Sequence, residues 1–147
     1  DPFFLAHANP AWVTSLSEPA RQQAMRNSAS AQRYKVALGV ASKNVKLLSD
    51  AGVTIAMGTD TGPNGRFQGF FELMELELMV KAGLTPKQAL AAATIDAAKC
   101  MTLDRDLGTL EPGKWADFVA LDADPLSDIR NIRKIASVWI AGNKVVR

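Results

Sequence analysis

Val53-Thr54-Ile55-Ala56-Met57 carries no charge, is rich in β-branched side chains and is bracketed by Gly52 and Gly58. Such a run predicts a short strand, about residues 53–58, buried on both faces, the kind found in parallel sheets. It constrains the fold more than any other feature, because a strand of this type needs a neighbour on each edge and cover above and below. It ends at Gly58-Thr59-Asp60 and is followed by a glycine-rich loop containing Gly62, Pro63, Asn64, Gly65 and Gly69.

The surrounding pattern agrees with an α/β arrangement. Residues 1–16 read as apolar but irregular, with turn signals at Asp1-Pro2 and Asn9-Pro10. Ser17 reads as the cap of a helical stretch that enters at Glu18-Pro19 and runs to about Ala51, with Tyr34, Leu38, Ala41, Val45 and Leu48 on one stripe. Gly39 weakens its middle and leaves one helix or two open; Gly52 caps its end. After the strand, 70–82 predicts a helix apolar over most of its circumference, so covered on more than one side. Glu77 there can pair with Lys81 four residues on. Thr85-Pro86 with Gln88 is a helix start of capping-box type, and the alanine-rich helix to about Lys99 permits close approach of a neighbour. From about 103 the character changes. A type II turn is expected at Glu111-Pro112-Gly113-Lys114 and a strand at 117–121. A short helical turn follows at 128–133, then a hairpin with strands 135–140 and 144–146 around Gly142-Asn143.

Composition removes several classes of function. Seventeen basic against fifteen acidic residues leave a net charge of +2, too weak for a nucleic-acid or anionic-membrane surface. No apolar run approaches the roughly 18 residues of a membrane span. A single cysteine, Cys100, excludes an internal disulfide and a cysteine-based zinc cage, and a single histidine, His7, excludes any multi-histidine site made by this chain alone. No signal-peptide pattern stands at the start, and the expected setting is cytoplasmic. The first residue is Asp1, and the chain is expected to be a segment of a longer protein.

Taken together, Val53 to Asp60, Glu72 to Gly83, Leu84-Thr85-Pro86 to Ala98, and Leu107-Gly108-Thr109-Leu110-Glu111-Pro112-Gly113-Lys114-Trp115-Ala116-Asp117 resemble the amidohydrolase superfamily. Asp122 to Pro125 and the hairpin at 135–146 match its terminal strands. The likeness covers about 35–147 and is nearest to the imidazolonepropionase and prolidase-like branch. It implies the C-terminal part of a (β/α)8 TIM barrel over 1–104, and strands of a small β-sandwich domain over 105–147. A whole barrel takes about 250 residues, more than this chain has.

The same resemblance implies hydrolysis of a carbon–nitrogen bond in a small amide or dipeptide-like substrate by a metal-activated water. A deaminase or cyclic-amide hydrolase of the superfamily is the alternative, and a non-catalytic assembly partner another. The expected cofactor is a divalent metal, zinc in most of the family. The other ligands are a His-x-His pair, a carboxylated lysine or glutamate, and two further histidines. His7 matches none of them. The expected partner is the missing N-terminal part of the protein, with self-association open and neither nucleic acid nor membrane expected. The 147 residues alone are expected to be inactive, and not to persist as an isolated compact monomer.

By the resemblance, Asp60 is both metal ligand and base; read locally, it caps a following turn. Thr61, Gly62, Asn64, Gly65 and Arg66 form a loop that either contacts substrate or simply connects. His7 reads as a surface histidine or one tucked beside Phe3 and Phe4. Glu72 and Glu75 share a helix face, Glu77 does not, and all three read as solvated or ion-paired. Cys100 reads as packing. Gly113 and Lys114 lack P-loop spacing and read as the turn before a strand.

Overall fold

A computed structural model describes residues 2–62 and 66–145 of the chain. Pro63, Asn64 and Gly65 of the glycine-rich loop, the Asp1 turn, Val146 of the expected last strand, and the Phe3 side chain suggested as a neighbour of His7 lie outside the described residues.

Residues 2–50 are almost wholly helical: α1 (Pro2–His7), α2 (Pro10–Ser17), α3 (Pro19–Asn27) and α4 (Ala29–Asp50). This corrects the irregular reading of 1–16. Asn9-Pro10, read as a turn, is a helix start: the Asn9 side chain accepts from the Ala11 amide at 2.9 Å, and Pro10 occupies the first turn. Ser17 ends α2 instead of capping α3; the cap position is Glu18. The break in the long helical stretch falls at Ser28, whose hydroxyl accepts from the Ala31 amide, while Gly39 sits inside an unbroken α4. No residue of α4 is buried. On the expected stripe Val45 packs against the core, whereas Tyr34 is 75% and Leu38 56% exposed.

Gly52, in the left-handed region, ends α4 as expected, with the Val53 amide reaching back to the Leu48 carbonyl at 3.0 Å. Residues 53–60 then form no helix or turn, and they join no sheet. The expected strand at 53–58 is therefore not a strand here. A ladder needs a second backbone alongside, and among the described residues the amides beyond Val53 find one backbone acceptor outside the segment, from Met57 to the Ala92 carbonyl at 2.9 Å. Burial alternates with period two: Ile55, Met57 and Thr59 are half-buried, and Thr54, Ala56, Gly58 and Asp60 exposed. One face rests on helices and the other is open, where the sequence predicts cover on both.

The packed core lies in the second half. It unites α5 (Phe70–Lys81), α6 (Pro86–Ala93) and a 3-10 helix over Ile129–Arg133. Its centre is Leu76, Met79, Leu84, Ala89, Ala92, Ile129 and Ile132. Ala89 and Ala92 are essentially inaccessible, the close approach expected from small side chains. The capping box at Thr85 and Gln88 forms. The helix expected to reach Lys99 is interrupted at Thr94, whose backbone leaves helical angles, and resumes as α7 (Ile95–Cys100).

β1 (Phe118–Leu121), β2 (Ile135–Ile140) and β3 (Asn143–Lys144) make one antiparallel sheet in that order, with Val119 opposite Val138 and Phe118 stacked on Trp139. The hairpin turn is Ala141-Gly142, one residue earlier than expected; both have positive φ, the pattern of a type I′ turn. One three-stranded sheet is present among the described residues. An apolar groove of 770 Å³, lined by Leu73, Leu90, Ala97, Leu107, Val138 and Trp139 among others, runs between the helices and the sheet. No described helix is long and apolar enough to cross a membrane.

Candidate functional site

The 53–60 segment delivers Asp60 to its end, with the side chain almost wholly in solvent (94% exposed). Its backbone is left-handed (φ 50°), a region that Asp tolerates better than most side chains. The nearest cation is the Arg66 guanidinium, 3.7 Å from Oδ2. An exposed pair at that distance contributes little. The loop closes through the Gly62 amide, which donates to the Arg66 carbonyl at 2.9 Å.

Behind Asp60 stands a group that the sequence pattern marks as solvent-facing. Glu72, in the first turn of α5, accepts hydrogen bonds through Oε1 from the hydroxyls of Thr59 (2.9 Å) and Thr61. The two hydroxyl oxygens are 3.2 Å apart. Oε2 accepts from the Gly69 amide at 2.5 Å. Burial alone would raise the Glu72 carboxyl, but hydrogen bonds from Thr61, its own backbone, Thr59 and Gly69 outweigh it and hold the group below the usual glutamate range. The signal was present in Gly69-x-x-Glu72, a helix-start spacing in which the glutamate folds back on the preceding backbone. What no local pattern reveals is that the second oxygen reaches residues 11 and 13 positions upstream.

The other two glutamates of α5 diverge. Glu75 is partly buried, which pushes its carboxyl up. Glu77 pairs not with Lys81 but with Arg133 of the 3-10 helix, whose Nε donates at 2.5 Å. Arg133 also lies over the Phe70 ring, 4.9 Å from its centre. Phe70 belongs to an aromatic group with Phe4 and Phe71, and Phe67 lies 4.9 Å from Phe4, so α1 is docked beside the loop that follows Asp60.

His7 is exposed in the last turn of α1. Among the described residues no three His, Cys, Asp or Glu side chains gather as a metal cage. The residues present therefore do not by themselves fit a metal centre; Asp60 offers one open carboxylate. Cys100, expected to pack, is exposed at the end of α7. Lys114 is no phosphate ligand. Its ammonium, 13% exposed, donates to the carbonyls of Asp104 and Leu107 and to the Thr109 hydroxyl, and so ties the segment after α7 into the turn before β1.

Comparison with known proteins agrees with this architecture. The chain is 39% identical over 112 residues to an imidazolonepropionase of Deinococcus deserti, covering 74% of this chain and 28% of that one. It is 32% identical over 135 residues to a 5-methylthioadenosine/S-adenosylhomocysteine deaminase of Teredinibacter turnerae, covering 78% and 30%. Among solved structures it resembles a Xaa-Pro dipeptidase with methionine bound in its active site (TM-score 0.65, 29% identity, 72% of this chain and 25% of that one). The structures it resembles are amidohydrolase TIM-barrel proteins, and the chain spans under a third of the length of these relatives. The sequence profile of the Amidohydrolase family matches residues 8–145, and the chain belongs to that family.

Proposed function

We propose that the chain is the C-terminal segment of a metal-dependent hydrolase that cleaves a carbon–nitrogen bond in a small amide or dipeptide-like substrate, with Asp60 at the reacting centre. The reading assigns 1–104 to the last part of a TIM barrel and 105–147 to strands of a small β domain. It rests above all on one observation: the 53–60 segment lies on a helix layer and ends in an open carboxylate. In a barrel that is the C-terminal face, where active sites are built.

Asp60 takes a proton from the attacking water and delivers it to the leaving nitrogen, the ordinary work of a carboxylate base in amide hydrolysis. A divalent metal, zinc by family resemblance, requires about three protein ligands. Asp60 supplies one, so the 147 residues alone should be inactive.

In the complete protein Asp60→Asn should lower kcat by at least about a hundredfold with the thermal midpoint retained. Turnover near that of the parent removes Asp60 from the reaction. The similarity to a deaminase favours a second reading, deamination of a ring amine. Release of free ammonia from purine-like substrates, with none of the amide or dipeptide substrates cleaved, would select it.

A further inference from the structure

We propose that Glu72 is a positioning residue for Asp60: its carboxylate clamps the two threonine hydroxyls that flank Asp60 and so fixes the direction in which the Asp60 side chain leaves the segment. The inference rests on the role given to Asp60 above. The Thr59 and Thr61 hydroxyls both reach Glu72 in the first turn of α5, while the Asp60 side chain between them is 94% exposed. Thr59 and Thr61 are half-buried toward α5 and Asp60 is exposed, so the hydroxyls point at the helix and the carboxylate away from it. Both hydroxyls end on the same oxygen, Glu72 Oε1.

A helix cap alone would not need this arrangement. The capping contact, from the Gly69 amide, is made by Oε2 and is complete without Oε1. The second oxygen bridges 11 and 13 residues of sequence to hold the backbone on either side of Asp60. That backbone is left-handed at Asp60, a region that residues other than glycine populate sparsely. Holding both neighbours keeps the left-handed angle and the carboxylate direction in place. Ionised Glu72 suits the task, because a carboxylate accepts both hydroxyl hydrogens and the first turn of a helix favours negative charge.

The test uses the complete protein and compares Asp60→Asn, Glu72→Gln, the pair Thr59→Val with Thr61→Val, and the pair Thr59→Ser with Thr61→Ser. Displacing a reacting group by an ångström lowers rate by about a hundredfold. Glu72→Gln and the valine pair should each lower kcat by about 10- to 100-fold with KM held within about twofold. The serine pair, which restores both hydroxyls, should recover kcat. Glu72→Gln combined with the valine pair should be no slower than Glu72→Gln alone, since both remove one clamp. The proposal is overturned if Asp60→Asn abolishes turnover while Glu72→Gln and the valine pair keep parental kcat. It is equally overturned if the serine pair fails to recover kcat lost in the valine pair. Should Glu72→Gln not fold, the valine and serine pairs decide alone. Normal turnover in Asp60→Asn would instead fail the reading of Asp60, and the clamp with it.

Discussion

Two segments of this chain, 53–60 and Ile135–Ile140, meet opposite fates. Both are apolar, but burial alternates along 53–60, whereas in β2 Ser137, Val138 and Trp139 are half-buried in a row. β2 has β1 on one edge and β3 on the other. Among the described residues, 53–60 have two backbone ties, from Val53 to the Leu48 carbonyl and from Met57 to the Ala92 carbonyl, and neither is to a strand. The difference lies in connection length. β2 finds β3 across a two-residue turn and β1 across the short passage through the 3-10 helix. A parallel strand can pair only after a long crossover, and no second strand of that kind lies among the described residues. The segment that carries the proposed chemistry is thus the one whose neighbours this chain does not supply.

The largest expected consequence is in amide exchange. In the 147-residue chain, amides of 54–60 other than Met57 should exchange at least about a hundredfold faster than those of β2. In the complete protein the two should approach each other. Equal protection in the short chain would show that 53–60 finds partners in it, by self-association or otherwise, and sedimentation would distinguish these.

Next comes the packed side of the comparison. Gly108 has φ +94°, and a Cβ there would lie 2.8 Å from the Ile95 Cα and 2.9 Å from the Ala98 Cβ. Gly108→Ala combines backbone strain with overpacking and should cost about 2–4 kcal/mol in urea denaturation of the complete protein. A loss below about 0.5 kcal/mol would mean that α7 and the segment after it are looser than described.

The open side predicts the opposite sign. Gly39 lies inside α4 with no positive φ, and nothing stands within 4 Å of the place an alanine Cβ would take. If that face stays open in the complete protein, Gly39→Ala should stabilise by about 0.5–1 kcal/mol. Destabilisation would place another element against α4.

The smallest effect concerns Asp128, cap of the 3-10 helix. Side-chain hydrogen bonds from Arg130, then its backbone amide, lower the carboxyl from 3.8 to about 2. With the folded value depressed, its contribution is present above pH 3.8 and lost as pH falls toward about 2. Carboxyl resonances followed by NMR should give that midpoint, and Arg130→Ala should raise it part of the way, since the bond from the residue-130 backbone amide remains.

What was legible in the sequence was local. Gly52, Thr85 with Gln88, and Pro112-Gly113 act within four residues of themselves, and each does what its chemistry dictates. The family, too, was readable from motifs spread over 35–147. Misreadings came where one residue type serves two local ends, as Asn9-Pro10 serves both turn and helix start. They also came where the partner is distant: Glu77 prefers Arg133, 56 positions away, to Lys81, and Glu72 reaches back past its own helix start. Covering both faces of 53–58 was a statement about tertiary neighbours, which period and composition cannot supply.

The Lys114 ammonium has a consequence for how this part of the protein tolerates change. Three acceptors from Asp104 to Thr109 converge on one side chain, so a stretch without regular secondary structure behaves as a strut between α7 and β1. A residue inserted between 104 and 114 would draw the ammonium away from the oxygens that accept its hydrogens, where the side chain is only 13% exposed to water. Lengthening is better borne at Ala141-Gly142, where the turn is exposed. Loops of equal outward irregularity are therefore unequal as sites for grafting, and the distinction is made by one lysine.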